Sequence, residues 1–277
     1  MNIEKTLNRL FWPAIIITMS VNLGLSVHLS QIAPFGEQKV LFVPEPQYVE
    51  RISGTFRNQI ALAFYMKGAQ ELAYNSAQKV DLLLALFRLA VYLDPKLDQA
   101  AFLGGMVTPA RAKDLVKAID LLELARQRNP DNWRFPYWIG FNYLQLDKFE
   151  KAAEYYNIAA ELPGALPFLK TASVHILSRG SNLEMALAEA ERLKAGAGDD
   201  KDTNELMDLR IFWLKSMLFL EAKNREFKKL TGRYPLKLQE LVESKLLPEL
   251  PPDEFGEGFY LVNPGDPATG YMVRSDF

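Results

Sequence analysis

The apolar and polar positions divide the chain into four parts with different periodicities. The first part is an apolar run from residue 10 to about residue 32, and the wider segment between Arg9 and Glu37 contains no Asp, Glu, Lys or Arg. As a helix, this run would span roughly 30 Å of hydrocarbon, the thickness of a membrane core. The pattern predicts that residues 1–33 form a single transmembrane anchor.

Charges on either side of the run predict its orientation. Lys5 and Arg9 precede it and Glu37 is the first charge after it, so the positive-inside rule places the N-terminus in the cytoplasm. The bulk of the chain is then periplasmic or otherwise extracytoplasmic, on a single-pass protein of the inner (cytoplasmic) membrane. A cleaved signal peptide is the alternative, although the run exceeds the ~7 to 15 residues of a signal core and no A-x-A-like site follows it.

Small and polar residues inside the run predict a contact with another membrane helix. These residues are Ser20, Asn22, Gly24 and Ser26. The alternative is an Asn that the membrane tolerates without a partner. After the run, residues 34–51 contain three prolines, which predicts an extended linker.

From residue 52 to residue 200 the apolar period is helical and recurs at a spacing near 34 residues. The clearest copy carries Ile139, Gly140, Tyr143, Ala152, Tyr156 and Ala159, and it closes at Pro163 and Gly164. This order resembles the tetratricopeptide repeat (TPR), a helix-turn-helix unit of 34 residues. With its flanking copies it predicts a TPR-like α-solenoid of about four repeats, in which small residues at helix crossings let the backbones approach.

The flanking copies differ in quality. The preceding copy has two extra residues between its helices, and we place them at Thr108 and Pro109, with Thr108 as the N-cap of the second helix. A weaker copy begins near Gly54. The following copy places Val174 and Ala186 one 34-residue period after Gly140 and Ala152.

The first helix of each TPR lines a concave groove, so the resemblance implies a partner-binding surface there. The register assigns to this groove Arg134, Tyr137, Trp138, Phe141, Gln145, Phe168, Thr171, His175, Ser178 and Arg179. Aromatic and Arg side chains suit a peptide-binding surface. The alternative is that Trp138 and Phe141 pack against neighbouring helices.

Residues 201–277 are predicted to form a long helix followed by a small α+β tail. Asp202 and Glu205 have the spacing of a capping box. The predicted elements are a helix over 203–230, a short helix over 236–245, and strands over 258–262 and 271–274 that form a hairpin.

The tail also carries a family resemblance. Its residues Thr231, Gly232, Arg233, Tyr234, Pro235, Leu241, Val242, Leu247, Pro248, Pro252, Asp253, Phe255, Gly256 and Tyr260 resemble the globular part of type II secretion major pseudopilins. The prepilin cleavage motif of those proteins is missing from the apolar run. The order of anchor, repeats and tail resembles a group of bacterial membrane-anchored TPR proteins, which implies extracytoplasmic protein–protein assembly.

Composition narrows the classes of function. The net charge is −2, from 32 basic and 34 acidic residues, which gives no field for gripping nucleic acid. With no cysteine and no glycine-rich phosphate loop, we predict no catalytic residue, no cofactor and no metal site. Asp253, Asp266 and Asp276 on separate turns are interpreted as solvated turn residues rather than calcium ligands.

Two classes of function remain from the sequence. The first is a non-enzymatic, membrane-tethered scaffold or adaptor, which docks another protein of a membrane or envelope complex and contacts lipid through its anchor. The alternative is a hydrolase of envelope polymers that uses paired carboxylates of the tail. The absence of a nucleophile with an adjacent base favours the adaptor.

Overall fold

The computed structural model describes residues 43–75, 80–109, 112–180, 182–262 and 272–275. The predicted anchor over 1–33, with its contact positions Ser20, Asn22, Gly24 and Ser26, lies outside the described residues. Within the described ranges, every helix is too short or too polar to cross a membrane.

Helices dominate the described chain. They are α1 (Pro46–Ser53), a 3₁₀ turn (Gly54–Phe56), α2 (Arg57–Asn75), α3 (Val80–Leu93), α4 (Asp98–Phe102), a π-helix (Leu103–Val107), α5 (Ala112–Arg128), α6 (Arg134–Gln145), α7 (Phe149–Glu161), α8 (Leu169–Arg179), α9 (Leu183–Gly196), α10 (Lys201–Thr231) and α11 (Gln239–Glu243). Strands β1 (Phe259–Val262) and β2 (Met272–Ser275) pair antiparallel, with Phe259 opposite Ser275. The mainly helical class with a small terminal hairpin is confirmed.

The extended linker predicted over 34–51 is wrong in its last part, because α1 begins at Pro46. Proline suits the first helical position, where its fixed φ is already helical and no amide hydrogen is needed. Val49 and Ser53 are buried, and Val49 belongs to a small core cluster with Leu89 and Leu93. The burial of Val49 and Ser53 therefore favours a helix that begins at this proline.

Each helix packs mainly on its neighbours along the chain. α2 packs on α3, α6 on α7, α7 on α8, α8 on α9, and α9 on α10. Side-chain hydrogen bonds between successive hairpins join positions 34 residues apart: Asn129 Nδ2 donates to the Pro95 carbonyl oxygen at 3.3 Å, and Asn132 Nδ2 donates to Asp98 Oδ2 at 2.8 Å. Equivalent positions of adjacent hairpins thus lie side by side.

Glycines mark the helix crossings. A Cβ on Gly104 would lie 2.9 Å from Phe87 Cβ and 3.0 Å from Leu121 Cδ1, so the π-helix touches α3 and α5 through its backbone. Gly140 meets Tyr156 in the same way between α6 and α7. The predicted role of Gly140 at a crossing is confirmed.

The extra residues between α4 and α5 are absorbed differently from the prediction. The Thr108 amide donates to the Leu103 carbonyl oxygen, five residues earlier, at 2.9 Å. The Thr108 hydroxyl donates to the same oxygen at 2.7 Å. A π-helical turn holds more residues than an α-helical one, so Thr108 closes the preceding helix, and its predicted role as N-cap of the next helix is wrong.

Helix α10 connects the hairpins to the tail. Its N-cap is Asp200, whose Oδ1 accepts the Thr203 amide at 3.2 Å; the capping box predicted at Asp202 is therefore wrong, because Asp202 already lies in the first turn. The helix ends at Gly232, whose φ of +78° is a left-handed C-cap.

The tail packs back onto α10 and the last hairpin. The rings of Trp213 and Phe255 meet edge to face, with centroids 5.7 Å apart. The Val273 amide donates to Glu221 Oε1 at 3.4 Å, and Arg274 donates to the Gly180 carbonyl oxygen at 2.8 Å. These contacts connect β2 to both α10 and the turn between α8 and α9.

Candidate partner-binding surface

Helix α6 displays only part of the side chains that the sequence assigns to a groove. Arg134 and Gln145 are exposed, while Tyr137 and Phe141 are half-buried. Trp138 is 8% exposed. The five residues therefore share a helix without sharing an environment.

Trp138 belongs to the core. Its ring centroid lies 5.4 Å from that of Phe102 on α4 and 5.8 Å from that of Phe135. In both pairs the rings are tilted against each other, an arrangement that aromatic side chains favour when they pack. The packing alternative holds for Trp138, because the preceding hairpin supplies the ring that covers it.

Tyr137 contacts an aromatic ring that is partly exposed to solvent. Its ring meets Phe168 edge to face at 6.3 Å, and Phe168 is 51% exposed. Behind it, Tyr137 contacts Tyr156 at 5.3 Å. Phe168 lies immediately before α8, so this contact joins α6 to the start of the next hairpin and leaves one ring half in water.

One further residue, Trp133, extends this surface beyond the sequence prediction. The Trp133 ring lies 5.9 Å from Tyr137, and the Arg134 guanidinium lies over the Trp133 ring at 5.0 Å. Trp133, Arg134, Tyr137 and Phe168 form what we call the aromatic patch. The sequence analysis did not name Trp133, although closely spaced aromatics follow it in α6.

An open depression borders the aromatic patch. It encloses about 410 Å³ and is lined by Asn129, Asp131, Asn132, Trp133, Arg134, Pro163 and Gly164. Two turns form its walls, the one after α5 and the one after α7. Gly164 has a φ of +73°, a left-handed conformation that glycine adopts without strain. The patch thus adjoins a polar hollow large enough for a side chain of a partner.

In the second group of predicted residues, all but Phe168 lie on α8, and Thr171 contacts α10. Arg210 Nη1 donates to the Thr171 carbonyl oxygen at 3.1 Å, and Arg210 is 9% exposed. Ser178 is buried and its hydroxyl donates to the His175 carbonyl oxygen at 2.8 Å, whereas Arg179 is exposed. Arg210, which the sequence analysis missed, therefore takes up part of the predicted groove near α8.

The environment of His175 sets its charge. Burial lowers the pKa of His175 below its ordinary value of 6.5, and the cations Arg210 and Arg179 lower it further. The imidazole is therefore neutral at neutral pH. Positive charge at α8 comes from Lys170 and Arg179 on the helix and from Arg210, which contacts it.

A polar network joins α7, α8 and α9. Glu189 Oε1 on α9 accepts hydrogen bonds from Asn157 of α7 at 2.7 Å and from Ser173 of α8 at 2.9 Å. Arg192 donates to both oxygens of Glu189 at 2.8 Å. Although burial by itself raises the pKa of Glu189, the hydrogen bonds from Arg192, Asn157 and Ser173 outweigh it and lower the pKa below 4.5.

In the tail, two carboxylates accept hydrogen bonds from backbone amides. Glu240 accepts hydrogen bonds from Arg233 Nη2 at 2.6 Å, from the Leu236 amide at 2.6 Å and from the Lys237 amide at 3.3 Å. The Arg233 hydrogen bond is the largest cause of the lowered pKa of Glu240. Asp253 Oδ1 accepts the amides of Phe255 and Gly256. In this structure the carboxylates of Glu240 and Asp253 hold turns.

Among the described residues, His, Asp and Glu nowhere form a group of three that could hold a metal ion. Burial raises the pKa of the Glu221 carboxyl, while the Val273 amide, Arg225 and Arg274 act against this rise and Glu184 adds to it. Its amide contact with β2 gives Glu221 a structural role between α10 and the hairpin.

Comparisons of the chain with protein-family profiles, with curated proteins and with solved structures found no match.

Proposed function

We propose that this protein is a membrane-tethered, extracytoplasmic scaffold of TPR-like helical repeats that docks another protein through the aromatic patch. The observation that carries the docking role is Phe168, which is 51% exposed and held edge to face against Tyr137. Exposed aromatic rings beside an arginine are typical of residues that anchor protein interfaces.

Repeat spacing supports the solenoid part of the proposal. Lateral hydrogen bonds with a separation of 34 residues, from Asn129 to Pro95 and from Asn132 to Asp98, are what stacked repeats of that length produce. The crossing glycines Gly104 and Gly140 are 36 residues apart. In such a stack, long-range contacts are made mainly between neighbouring repeats, which leaves an extended surface for a partner.

The tether rests on the sequence alone. The uncharged segment between Arg9 and Glu37 has the length of a membrane span, and Lys5 and Arg9 precede it. We expect an added protease to digest the chain after Glu37 in spheroplasts. A C-terminal tag that survives in spheroplasts and is cut only after lysis would reverse the orientation.

The docking role is tested with a photoreactive amino acid in place of Phe168 in intact cells. The matched control carries the same amino acid in place of Met185, which is 42% exposed on α9 and lies outside the patch. A protein adduct that forms at position 168 and not at position 185 supports docking at the aromatic patch. Equal adducts at both positions, or none at 168, would contradict it.

A further inference from the structure

Large apolar side chains on α1, the 3₁₀ turn and α2 are exposed to water. Tyr48, Ile52, Phe56, Leu62 and Met66 are between 49% and 84% exposed, and Ile52 is the most exposed of them. They extend from α1 through the 3₁₀ turn into the first half of α2. We call them the N-terminal apolar face.

Charge is missing from the outward side of α2. The exposed positions between residues 58 and 73 are Asn58, Gln59, Leu62, Ala63, Met66, Gln70 and Ala73. The two charged residues of this stretch, Lys67 and Glu71, are half-buried and pair with each other at 2.8 Å. A helix face in water can carry charged side chains at no cost. In an apolar medium a charged side chain would be costly, so a face without charge suits such a medium.

The exposed side of α10 differs in this respect. Phe212 and Phe219 are 46% and 48% exposed, but the exposed positions of the same helix include Asp208, Lys215 and Glu226. Isolated apolar residues among charges are ordinary on a protein surface. The outer face of an end repeat is normally polar, so the N-terminal apolar face indicates a surface that something covers.

The length of chain before α1 indicates what covers it. Only residues 33–42 separate the apolar run from the first described residue, Val43. Whatever their conformation, ten residues reach at most about 33–36 Å. If the run spans a membrane, the N-terminal apolar face is confined to the neighbourhood of the bilayer surface.

The side chains also match that surface chemically. Tyr48 and Phe56 are aromatic residues with most of the ring exposed, and aromatic rings accumulate at the level of lipid headgroups. Arg51, which precedes Ile52 in the sequence, is exposed and suits anionic headgroups. Apolar side chains of interfacial helices enter the headgroup boundary by about 5–10 Å.

We propose that the N-terminal apolar face lies in the headgroup region of the membrane that holds the anchor. This inference rests on the proposed function for the anchor alone, and it does not depend on the aromatic patch. The exposed apolar side chains of α1 and α2 would then contact lipid.

The experiment uses the absence of cysteine from the sequence, which allows a label at one chosen position of the full chain. Ile52→Cys and Met66→Cys are each labelled with a polarity-sensitive fluorophore in vesicles of phosphatidylethanolamine and phosphatidylglycerol. Glu205→Cys, at an exposed position of α10, is the control. Nitroxide lipids with the spin label near the headgroup serve as quenchers.

We expect blue-shifted emission and loss of most fluorescence at positions 52 and 66, with little loss at position 205. Equal and weak quenching at all three positions would overturn the inference. Ready disulfide formation between two copies at position 66 without lipid quenching would overturn it as well, because a second copy would then cover the face.

Alkaline carbonate extraction separates this inference from the anchor. A chain that stays in the membrane but is not quenched at positions 52 and 66 keeps the anchor and overturns the apolar-face contact. A chain that is extracted, yet was quenched beforehand, supports lipid contact by the apolar face and contradicts the anchor. Extraction together with weak quenching rejects both.

Discussion

The Cδ2 atom of Tyr156 lies 2.5 Å from the position that a Cβ on Gly140 would occupy. The Ala152 carbonyl oxygen lies 3.1 Å from the same position. Tyr156 is buried and its ring also contacts that of Tyr137, with centroids 5.3 Å apart. The tyrosine ring therefore cannot retreat without disturbing the aromatic patch, and the hydrogen atom of Gly140 is what lets α6 and α7 approach.

Gly140→Ala should therefore destabilise the protein even though alanine favours helices. Overpacking at this crossing is expected to lower the free energy of unfolding by about 1–3 kcal/mol, measured by pulse proteolysis in urea. Gly196→Ala is the matched control, since nothing lies within 4 Å of its Cβ position. A midpoint for Gly140→Ala at or above that of the control would show that the crossing is looser than described.

Periodicity predicted the crossing glycines and the helical hairpins because both depend on which residues share a helix face. It did not separate Trp138 from Phe168, since the ring that buries Trp138 comes from Phe102 in another hairpin. Arg210 was missed for a related reason: its hydrogen bond to Thr171 spans 39 residues. Local spacing contains no information about such partners.

Helix starts show the same limit at shorter range. The sequence pattern predicted Asp202 as the N-cap because Glu205 follows it by three residues. In the structure the extended backbone at Asp200, with a ψ of 95°, aims its carboxylate at the Thr203 amide. The local backbone conformation, which residue spacing does not specify, thus determines the N-cap.

Glu189→Gln is predicted to weaken the packing of α7, α8 and α9 on one another. The substitution removes a charged acceptor from Asn157, Ser173 and Arg192, with a cost of about 1–3 kcal/mol at neutral pH. Glu191→Gln is the control, because Glu191 is half exposed and its ion pair with Lys215, at 3.2 Å, is of a kind that contributes little.

The effect of Glu189 should depend on pH with a defined sign. Its pKa is lower in the folded protein than the ordinary value of 4.5, so the unfolded chain binds the proton more tightly. The stabilisation is complete above pH 4.5 and is lost as the pH falls through the folded-state pKa. Urea midpoints of parent and Glu189→Gln should converge below pH 4.5; a constant difference would contradict the assigned hydrogen bonds.

Glu240→Ala tests the loop between α10 and α11. Without the carboxylate, the amides of Leu236 and Lys237 lose their acceptor, and we expect their hydrogen exchange to accelerate. Because the loop is near the surface, the global midpoint should change little. Glu243→Ala, at an exposed position of α11, should leave exchange at 236 and 237 unchanged. Unchanged exchange in Glu240→Ala would show that other contacts hold the loop.

Substitutions of Trp138 and Phe168 distinguish an effect on folding from an effect on binding. Trp138→Ala removes a ring that is 8% exposed and should lower the free energy of unfolding by about 3–5 kcal/mol. Phe168→Ala removes a ring that is half in water, so its cost to stability should stay below about 1 kcal/mol. If Phe168 anchors a partner, its truncation should reduce the affinity by about 2 kcal/mol or more.

Both quantities can be measured on the same preparations of the full chain. Urea midpoints report stability, and the amount of partner retained on the tagged chain reports binding, with Met185→Ala as the surface control. Reduced retention by Phe168→Ala at an unchanged midpoint supports the aromatic patch as the docking surface. Full retention by that variant would move docking elsewhere, and an unchanged midpoint for Trp138→Ala would show that its ring is not part of the core.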